Sequence, residues 1–413
     1  MIKKLLIILI STLFISPMVF ANGENEKNIN QSLENESSTV LMWSYMGGEE
    51  GKILANIVEK YNNSQDKYKL EIEYVPFGDM KKKYSMGMVA GELPDIGTID
   101  NPDMAAFVSM GLFEDITSKV DAWGEADKYF EGPLKSAMLN DKYYGLPFTS
   151  NCLAMFYNKD VFEEKNLEVP TTWDELLEVG KKLKTKDMYP LAISAVKTEE
   201  GVFQYLPWYL STGADVENPN SNESIRALEF FEQMLSEGII SPEVISWDQS
   251  DVYRQFASGK AAMMINGPWN ISAVQRDAPE LDFGVALVPK DKQYASVLGG
   301  ENLGIIKGGN VDGAWDFLKY YSSKEVMDGF ISQTGYFPPR SDIAKENVRW
   351  TEDSILKTFM QEMQYASPRG PSAKWPQISA ALAEGLQKGL SESYTAEEAM
   401  KEAQIKINEA LSN

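Results

Sequence analysis

Residues 142–175, KYYGLPFTSNCLAMFYNKDVFEEKNLEVPTTWDE, contain the pattern that decides the fold. The Gly-Leu-Pro of residues 145–147 predicts a turn, and the apolar run after it predicts a strand that ends at Tyr157. Thr172 and Glu175 then form a T-x-x-E capping box, whose side chains can satisfy free N–H groups at a helix start. The segment therefore predicts a strand that leads into a capped helix.

Strands and helices alternate on both sides of this segment, which is typical of an α/β fold. Upstream, the periodicity predicts strands at 40–44, 68–75 and 95–99 and helices at 49–62, 80–90 and from Pro102. Downstream, it predicts strands at 261–265 and 282–288 and helices at 173–183, 223–236, 250–258, 312–321, 352–365 and 396–411. About 390 folded residues exceed the usual size of a single core, so we expect two domains.

The first residues predict a secretory signal peptide at residues 1–21. Lys3 and Lys4 precede an apolar core, and small residues at 19–21 provide a cleavage site. Residues 22–39 are rich in Asn, Glu and Ser, and we expect them to form a disordered leader. The chain has one cysteine, Cys152, and none directly after the apolar core where lipoproteins are acylated. We therefore expect a mature chain without a lipid anchor.

Composition excludes several kinds of chemistry. The 413 residues include no histidine, so Ser-His-Asp and Cys-His catalysis and His-ligated zinc lack an essential group. No D-x-D-x-D-G loop is present, and we expect neither a metal ion nor a cofactor. The net charge of −22 repels nucleic acid and indicates a solvated surface. Cys152 fits a small buried residue better than a reactive thiol.

Candidate binding residues follow from strand ends, because ligands of open α/β sheets bind beyond the carboxyl ends of the strands. This rule nominates the loop at residues 45–49, the strand end at residues 100–101 and the Gly-Gly-Glu-Asn turn at residues 299–302. The candidate side chains and backbone positions are Tyr45, Glu49, Asp100, Asn101, Gly300 and Glu301. Asp100 could equally cap the helix at Pro102.

Four short motifs resemble one family. They are Y-G-L-P at 144–147, Y-N-K-D at 157–160, P-x-T-W-D-E at 170–175 and FASGKAAMMINGPW at 256–269. Together they resemble the extracytoplasmic solute-binding proteins of ABC importers, in the sugar-binding branch similar to maltose-binding protein (family 1). The resemblance implies a two-lobed periplasmic-binding-protein type II fold with ligand in the inter-lobe cleft. It also implies lobe limits of 40–148 plus 289–335 and 149–288 plus 336–413.

The resemblance further implies which residues contact a sugar. Sugar sites combine polar groups with flat aromatic rings. Trp269 is the first aromatic candidate because its Gly-Pro-Trp follows a predicted strand, where sugar-binding relatives stack a ring. Asn151 lies at a predicted crossing between the lobes. The remaining candidates, for which ordinary packing competes, are Trp208, Trp247 and Trp375. Trp43, Trp173 and Trp315 are predicted to pack in the cores.

Two arginines in Pro-flanked loops are further candidates. Arg340 or Arg369 could hold a charged ligand group bidentately, but bonds to backbone carbonyls or to an inter-lobe carboxylate are favoured. The chain also departs from the pattern of maltodextrin-specific relatives at residues 199–203, EEGVF, where a match requires shifting or losing the acidic residue. The departure puts maltodextrin specificity in question but not the family.

The expected function is that of a periplasmic, non-enzymatic binding protein. It would capture a sugar or oligosaccharide by hinge closure and deliver it to inner-membrane permease subunits. We expect a monomer that binds no nucleic acid. Two alternatives stay open: the same fold binding a polyamine, peptide or glycerol-phosphate ester, and a secreted carboxylate-dependent glycosidase or lyase.

Overall fold

The computed structural model describes residues 37–369, 372–391 and 393–412. Its strands are β1 Ser38–Ser44, β2 Tyr68–Tyr74, β3 Ile96–Asp100, β4 Met138–Leu139, β5 Lys142–Tyr143, β6 Gly145–Pro147, β7 Ala154–Asn158, β8 Tyr189–Ala192, β9 Ala261–Asn266, β10 Phe283–Ala286, β11 Ser296–Leu298, β12 Glu301–Ile305 and β13 Ala366–Pro368. The described part contains no helix long and apolar enough to cross a bilayer.

The α-helices of the described residues are numbered in chain order. They are α1 Gly48–Ser64, α2 Phe77–Ala90, α3 Met104–Ser109, α4 Thr117–Trp123, α5 Glu131–Ser136, α6 Lys159–Glu164, α7 Trp173–Leu183, α8 Glu199–Ser211, α9 Asn222–Ser236, α10 Gln249–Ala257, α11 Ile271–Asp277, α12 Val311–Tyr321, α13 Lys324–Thr334, α14 Ser341–Glu346, α15 Arg349–Glu352, α16 Ser354–Met363, α17 Trp375–Leu390 and α18 Ala396–Ser412.

The predicted elements are present, with two local corrections. The predicted turn at residues 145–147 is wrong: these residues form β6, which pairs antiparallel with β12. A Cβ on Gly145 would lie 2.4 Å from the carbonyl oxygen of Leu303, so only glycine permits this close pairing. The fold also begins earlier than predicted, because Ser38 and Thr39 pair with β2. The predicted signal peptide and the rest of the leader lie outside the described residues.

Two mixed sheets organise the molecule. The first has the strand order β2-β1-β3-β12-β6, in which β1 pairs parallel with both β2 and β3. The second has the order β10-β7-β9-β8. Each sheet packs against helices and has its own apolar core, one around Met42 and Phe317 and the other around Phe156 and Leu206. The prediction of a two-lobed α/β fold is therefore confirmed.

The chain passes between the two sheets more than once. It leaves the first sheet after β6 and enters the second at β7, then returns between β10 and β12. Ser150 forms an isolated bridge with Phe337, and Asn151 forms one with Gly299, so these connecting segments lie side by side. The lobe limits at 148/149, 288/289 and 335/336 fall in or beside these segments and stay a prediction.

The predicted capping box at the start of α7 is present. The backbone N–H of Glu175 donates to Thr172 Oγ1 at 3.3 Å, and the backbone N–H of Thr172 donates to Glu175 Oε2 at 3.2 Å. The buried face of α7 includes Trp173 and Leu176, which pack in the second core. The cap therefore fixes where a core helix begins.

We expect Thr172→Ala to lower the free energy of unfolding by about 1 kcal/mol, because the backbone N–H of Glu175 loses its partner. Urea unfolding followed by circular dichroism measures the loss. Thr358→Ala is the matched control, since Thr358 lies half-buried within α16 and caps nothing. An equal loss in both variants would contradict a capping role for Thr172.

Candidate functional site

A cavity of about 300 Å³ lies between the two sheets. The edge of the first sheet contributes the ends of β1 and β3 and the start of β12. The second lobe contributes the N-terminal turns of α8 and α10 and the segment after β9. The lining residues are Tyr45, Met46, Glu50, Phe77, Asp100, Asn151, Glu199, Glu200, Phe203, Gln249, Ser250, Trp269, Asn270, Gly300, Glu301, Tyr336 and Arg369.

Strand register brings two carboxylates together on the first-sheet wall. Asp100 ends β3 and pairs directly with Glu301, the first residue of β12. Glu301 accepts a hydrogen bond from Thr149 Oγ1. Tyr45 follows the end of β1, and its ring meets the Phe77 ring edge-on at 5.1 Å between centroids. The wall therefore presents carboxylates beside aromatic rings.

Two glycines allow the chain to approach itself closely at this wall. Gly300 has φ of 128°, and an added Cβ would lie 2.4 Å from the Thr149 carbonyl oxygen. A Cβ on Gly299 would lie 2.1 Å from Asn151 Oδ1 and 2.9 Å from Phe203 Cζ. Larger residues would push these groups away from the cavity. The Gly-Gly pair thus sets the position of Glu301.

Trp269 forms the aromatic centre of the opposite wall. Its ring lies between Phe203, at a centroid distance of 6.5 Å and 24° between planes, and Tyr336, at 6.3 Å and 31°. The ring also folds over Gly267, where a Cβ would lie 1.9 Å from Trp269 Cζ3. The Gly-Pro-Trp sequence therefore places an indole in the cavity because the glycine leaves room for it.

Glu200 holds the helix start of α10 against α8. Its Oε2 accepts from the backbone N–H of Gln249 at 3.0 Å. Asn266, at the end of β9, donates to the Gln249 carbonyl at 3.1 Å. These bonds fix Gln249 and Ser250 at the cavity wall.

Arg369 connects carboxylates from both lobes. The residue is 5% exposed and follows β13. Its guanidinium donates to Asp100 at 2.9 and 3.2 Å and to Glu199 Oε1 at 2.6 Å. It also lies 4.3 Å from the centroid of the Phe203 ring. The bidentate geometry and the ring contact suit arginine better than lysine.

Two polar groups at the cavity have no hydrogen-bond partner among the described residues. They are the Tyr45 hydroxyl and Asn151 Oδ1, and both atoms are buried. Asn151 is 4% exposed and lies in the segment that crosses between the sheets. Buried polar groups normally have a partner, so these two are available to a bound molecule.

Burial raises the pKa of the Asp100 and Glu200 carboxyls at this site, and that of the Glu50 and Glu301 carboxyls as well. It raises the pKa of Glu301 to about 8, with the hydrogen bond from Thr149 opposing the shift and the Asp100 and Glu50 charges adding to it. Burial also raises the pKa of Glu50 to about 7, against a hydrogen bond from Tyr336. Both carboxyls therefore carry a proton over part of the neutral range.

The structure brings six of the twelve predicted site residues together at the cavity: Tyr45, Asp100, Asn151, Trp269, Gly300 and Glu301. The strand-end rule found most of them. The Asp100 side chain makes no cap hydrogen bond at the following turn. It pairs with Arg369 instead, so the capping role is wrong, and a sugar contact of Asp100 stays a prediction.

The other six predicted residues lie off the cavity lining. Glu49 points to solvent and pairs with Lys52 at 2.7 Å, because the helix turn directs the next residue, Glu50, inward. Asn101 lies behind Arg369 and accepts from it at 3.3 Å. Arg340 bonds to Asp342, Glu125 and the Ser322 carbonyl. In the sequence analysis, such bonds to carboxylates and backbone carbonyls were favoured over a ligand contact.

The three remaining candidates are tryptophans that pack. Trp208 is fully buried in the second core against the Phe230 ring, and Trp247 is 8% exposed in the same core. Trp375 Nε1 donates to Glu199 at 3.1 Å from behind the cavity wall. The position of a tryptophan in a predicted helix or loop did not show whether its ring faces the cleft or the core.

Several lining residues were missed as candidates: Met46, Glu50, Phe77, Glu199, Glu200, Phe203, Gln249, Ser250, Asn270 and Tyr336. A signal for three of them was present, since Glu199, Glu200 and Phe203 form the acidic-aromatic segment that departs from the maltodextrin pattern. Arg369 was weighed, and its favoured bond to an inter-lobe carboxylate is confirmed. The described residues contain no group of three or more carboxylates and thiols placed to hold a metal ion.

Glu301 should make stability depend on pH. A carboxyl whose folded pKa exceeds its unfolded value of about 4.5 stabilises the fold fully below pH 4.5, and this contribution disappears as pH rises through 8. In that pH window, we expect Glu301→Gln to reduce the pH dependence of the free energy of unfolding by up to about 1.4 kcal/mol per pH unit. Urea unfolding at pH 5, 6.5 and 8 measures it.

Glu49→Gln is the control for this titration. The Glu49 carboxyl is exposed, and its hydrogen bond with Lys52 lowers its pKa, so it has no transition between pH 4.5 and 8. An unchanged slope in Glu301→Gln would mean that the buried carboxyl does not titrate in this range.

Comparisons with known proteins agree with this architecture. A maltotriose-binding protein of Pyrococcus abyssi is 28% identical over 378 residues, which cover 86% of this chain and 79% of that protein. A multiple sugar-binding protein of Streptococcus mutans is 24% identical over 330 residues, 74% of each chain.

The solved structure of an ABC transporter solute-binding protein from Thermotoga lettingae, bound with α-D-tagatose, aligns with a TM-score of 0.84 and 26% identity. The alignment covers 91% of this chain and all of that one. The family model described as bacterial extracellular solute-binding protein matches residues 56–358, which include the walls of the cavity except Tyr45, Met46, Glu50 and Arg369. The chain belongs to the bacterial extracellular solute-binding protein family.

Proposed function

We propose that this protein captures a carbohydrate in the inter-lobe cavity and delivers it to an ABC importer. The observation that supports the proposal is the pairing of stacked rings with hydrogen-bonding groups in one cavity. Phe203, Trp269 and Tyr336 offer flat apolar faces, and Glu301 and Asn151 offer oxygens beside them. Sugars have apolar C–H faces and hydroxyl edges, which match this combination.

The size of the cavity favours a small sugar. Its volume of about 300 Å³ is at the lower end of the roughly 300–1,000 Å³ of ligand pockets. We therefore propose a mono- or disaccharide as the captured unit. The relatives' names include alpha-D-tagatose, a monosaccharide, and maltotriose, a trisaccharide, so they leave the sugar itself open.

Closure between the lobes is the proposed mechanism of capture. The ligand would contact Glu301 from the first lobe and Trp269 from the second at once. A molecule that bridges both walls binds the closed form more tightly, and so shifts the population toward it. The bonds from Arg369 to Asp100 and Glu199 would stabilise the closed form even when no ligand is bound.

The proposed cellular role follows from the family. We place the protein in the periplasm, where the closed, loaded form would meet inner-membrane permease subunits. No catalytic step is proposed. A glycerol-phosphate ester fits the cavity poorly, because its anion would face five carboxylates, and the one arginine of the described lining is already paired with two of them.

A panel of ligands tests the proposal. We expect one or more neutral or amino mono- and disaccharides to raise the thermal midpoint, with about 2.7 kcal/mol of stabilisation at a hundred times the dissociation constant. Differential scanning fluorimetry provides the measurement, and native mass spectrometry shows that the sugar is returned intact. If a peptide or spermidine raises the midpoint and no sugar does, the carbohydrate proposal fails.

Gly267→Ala tests the role of Trp269 without touching the ring. The added methyl group would collide with the indole and displace it from the cavity, so we expect sugar affinity to fall about tenfold or more. Isothermal titration with the best sugar of the panel measures this. Gly329→Ala is the control, since an added Cβ there meets nothing within 4 Å. Unchanged affinity in Gly267→Ala would show that Trp269 does not contact the sugar.

A further inference from the structure

The cavity lining contains more carboxylates than the described cations can balance. Five carboxylates and one guanidinium line it, and Arg369 is bonded to Asp100 and Glu199. Glu200 is engaged by the backbone N–H of Gln249. The remaining two, Glu50 and Glu301, have no lysine or arginine within ion-pair distance in the described part of the chain.

These two carboxyls face the same space from neighbouring elements. Glu50 lies in the first turn of α1, and Glu301 begins β12. Glu50 bonds to the hydroxyl of Tyr336, and Tyr45 lies close enough for the Glu301 charge to act on its hydroxyl. Two carboxyls framed by tyrosine rings resemble the surroundings that proteins give to bound cations.

The surrounding charges also favour a cation. The Asp100 and Glu50 charges both act on Glu301 in the direction that opposes its ionisation, and the Arg369 charge acts against them. A positive group between Glu50 and Glu301 would stabilise both ionised carboxylates. The net charge of −22 would add attraction at long range.

A second observation points to a bound molecule at the same place. Asn151 is 4% exposed, lines the cavity, and its Oδ1 has no partner among the described residues. The Tyr45 hydroxyl is likewise buried and has no partner among the described residues, and the Glu301 charge acts on it. A ligand with N–H or O–H donors would satisfy both.

We propose that the captured carbohydrate is an amino sugar with a free ammonium group, held between Glu50 and Glu301 while its ring stacks on Trp269. This inference rests on the proposed carbohydrate function and names its substrate class. Carboxylates alone would suit a polyamine equally, but the Phe203, Trp269 and Tyr336 rings offer flat faces that a linear amine does not use. A polyamine is therefore an outcome of the test.

The test compares three β-1,4-linked disaccharides by isothermal titration at pH 6.5. They are the glucosamine dimer, its N-acetylated form and cellobiose, which differ at the amino position. We expect the glucosamine dimer to bind at least tenfold more tightly than either neutral disaccharide. We also expect proton release, seen as a binding enthalpy that depends on the ionisation enthalpy of the buffer, because a cation displaces protons from Glu50 and Glu301.

Matched variants locate the ammonium group. Glu50→Gln and Glu301→Gln should each weaken the glucosamine dimer at least tenfold and reduce proton release, and each should weaken the glucosamine dimer by a larger factor than it weakens cellobiose. Glu49→Gln removes a neighbouring carboxylate that points to solvent and should change neither. Circular dichroism confirms that each variant is folded.

The outcomes separate this inference from the proposed function. Equal or tighter binding of the neutral disaccharides overturns the amino-sugar inference and leaves the carbohydrate function standing. Tight binding of spermidine, with none of the sugars bound, overturns both. Tight binding of the glucosamine dimer that survives both Gln variants shows that the ammonium group lies elsewhere and overturns the assigned site.

Discussion

The guanidinium of Arg369 joins the parts on which the site depends. It bonds to Asp100 at the edge of the first sheet and to Glu199 at the start of a helix of the second lobe. Isolated buried charges are costly, so each of these three charged groups depends on the presence of the other two. The cavity lies directly beside this bridge.

One positive charge between two carboxylates leaves the bridge with a net negative charge. The Glu50 and Glu301 carboxyls add to this field, and both have pKa values raised by burial. A binding site gains specificity when an unsuitable ligand leaves its polar groups unpaired. Here the same property disfavours anions and favours molecules that carry donors or a positive group.

Local sequence determined the elements and their order with little error. The capping box at Thr172 begins a helix as predicted, and the Gly-Pro-Trp after β9 places Trp269 in the cavity. Local patterns were less informative where a segment has no periodicity of its own. Residues 145–147 look like a turn, yet they form an edge strand because the distant β12 supplies a partner. Such pairing depends on contacts more than 150 residues away in the chain.

The sequence by itself determined the family, the α/β class, the absence of histidine chemistry and the strand ends that could face a ligand. Only the tertiary structure decided which side chains reach the cavity. Glu49 and Glu50 are adjacent and identical, and helix rotation alone turns one outward and the other inward. Trp208 and Trp269 are likewise two tryptophans that were both predicted to contact the ligand, and burial in the core removes the first from the site. Direction in space depends on the packing of both lobes, which no local pattern records.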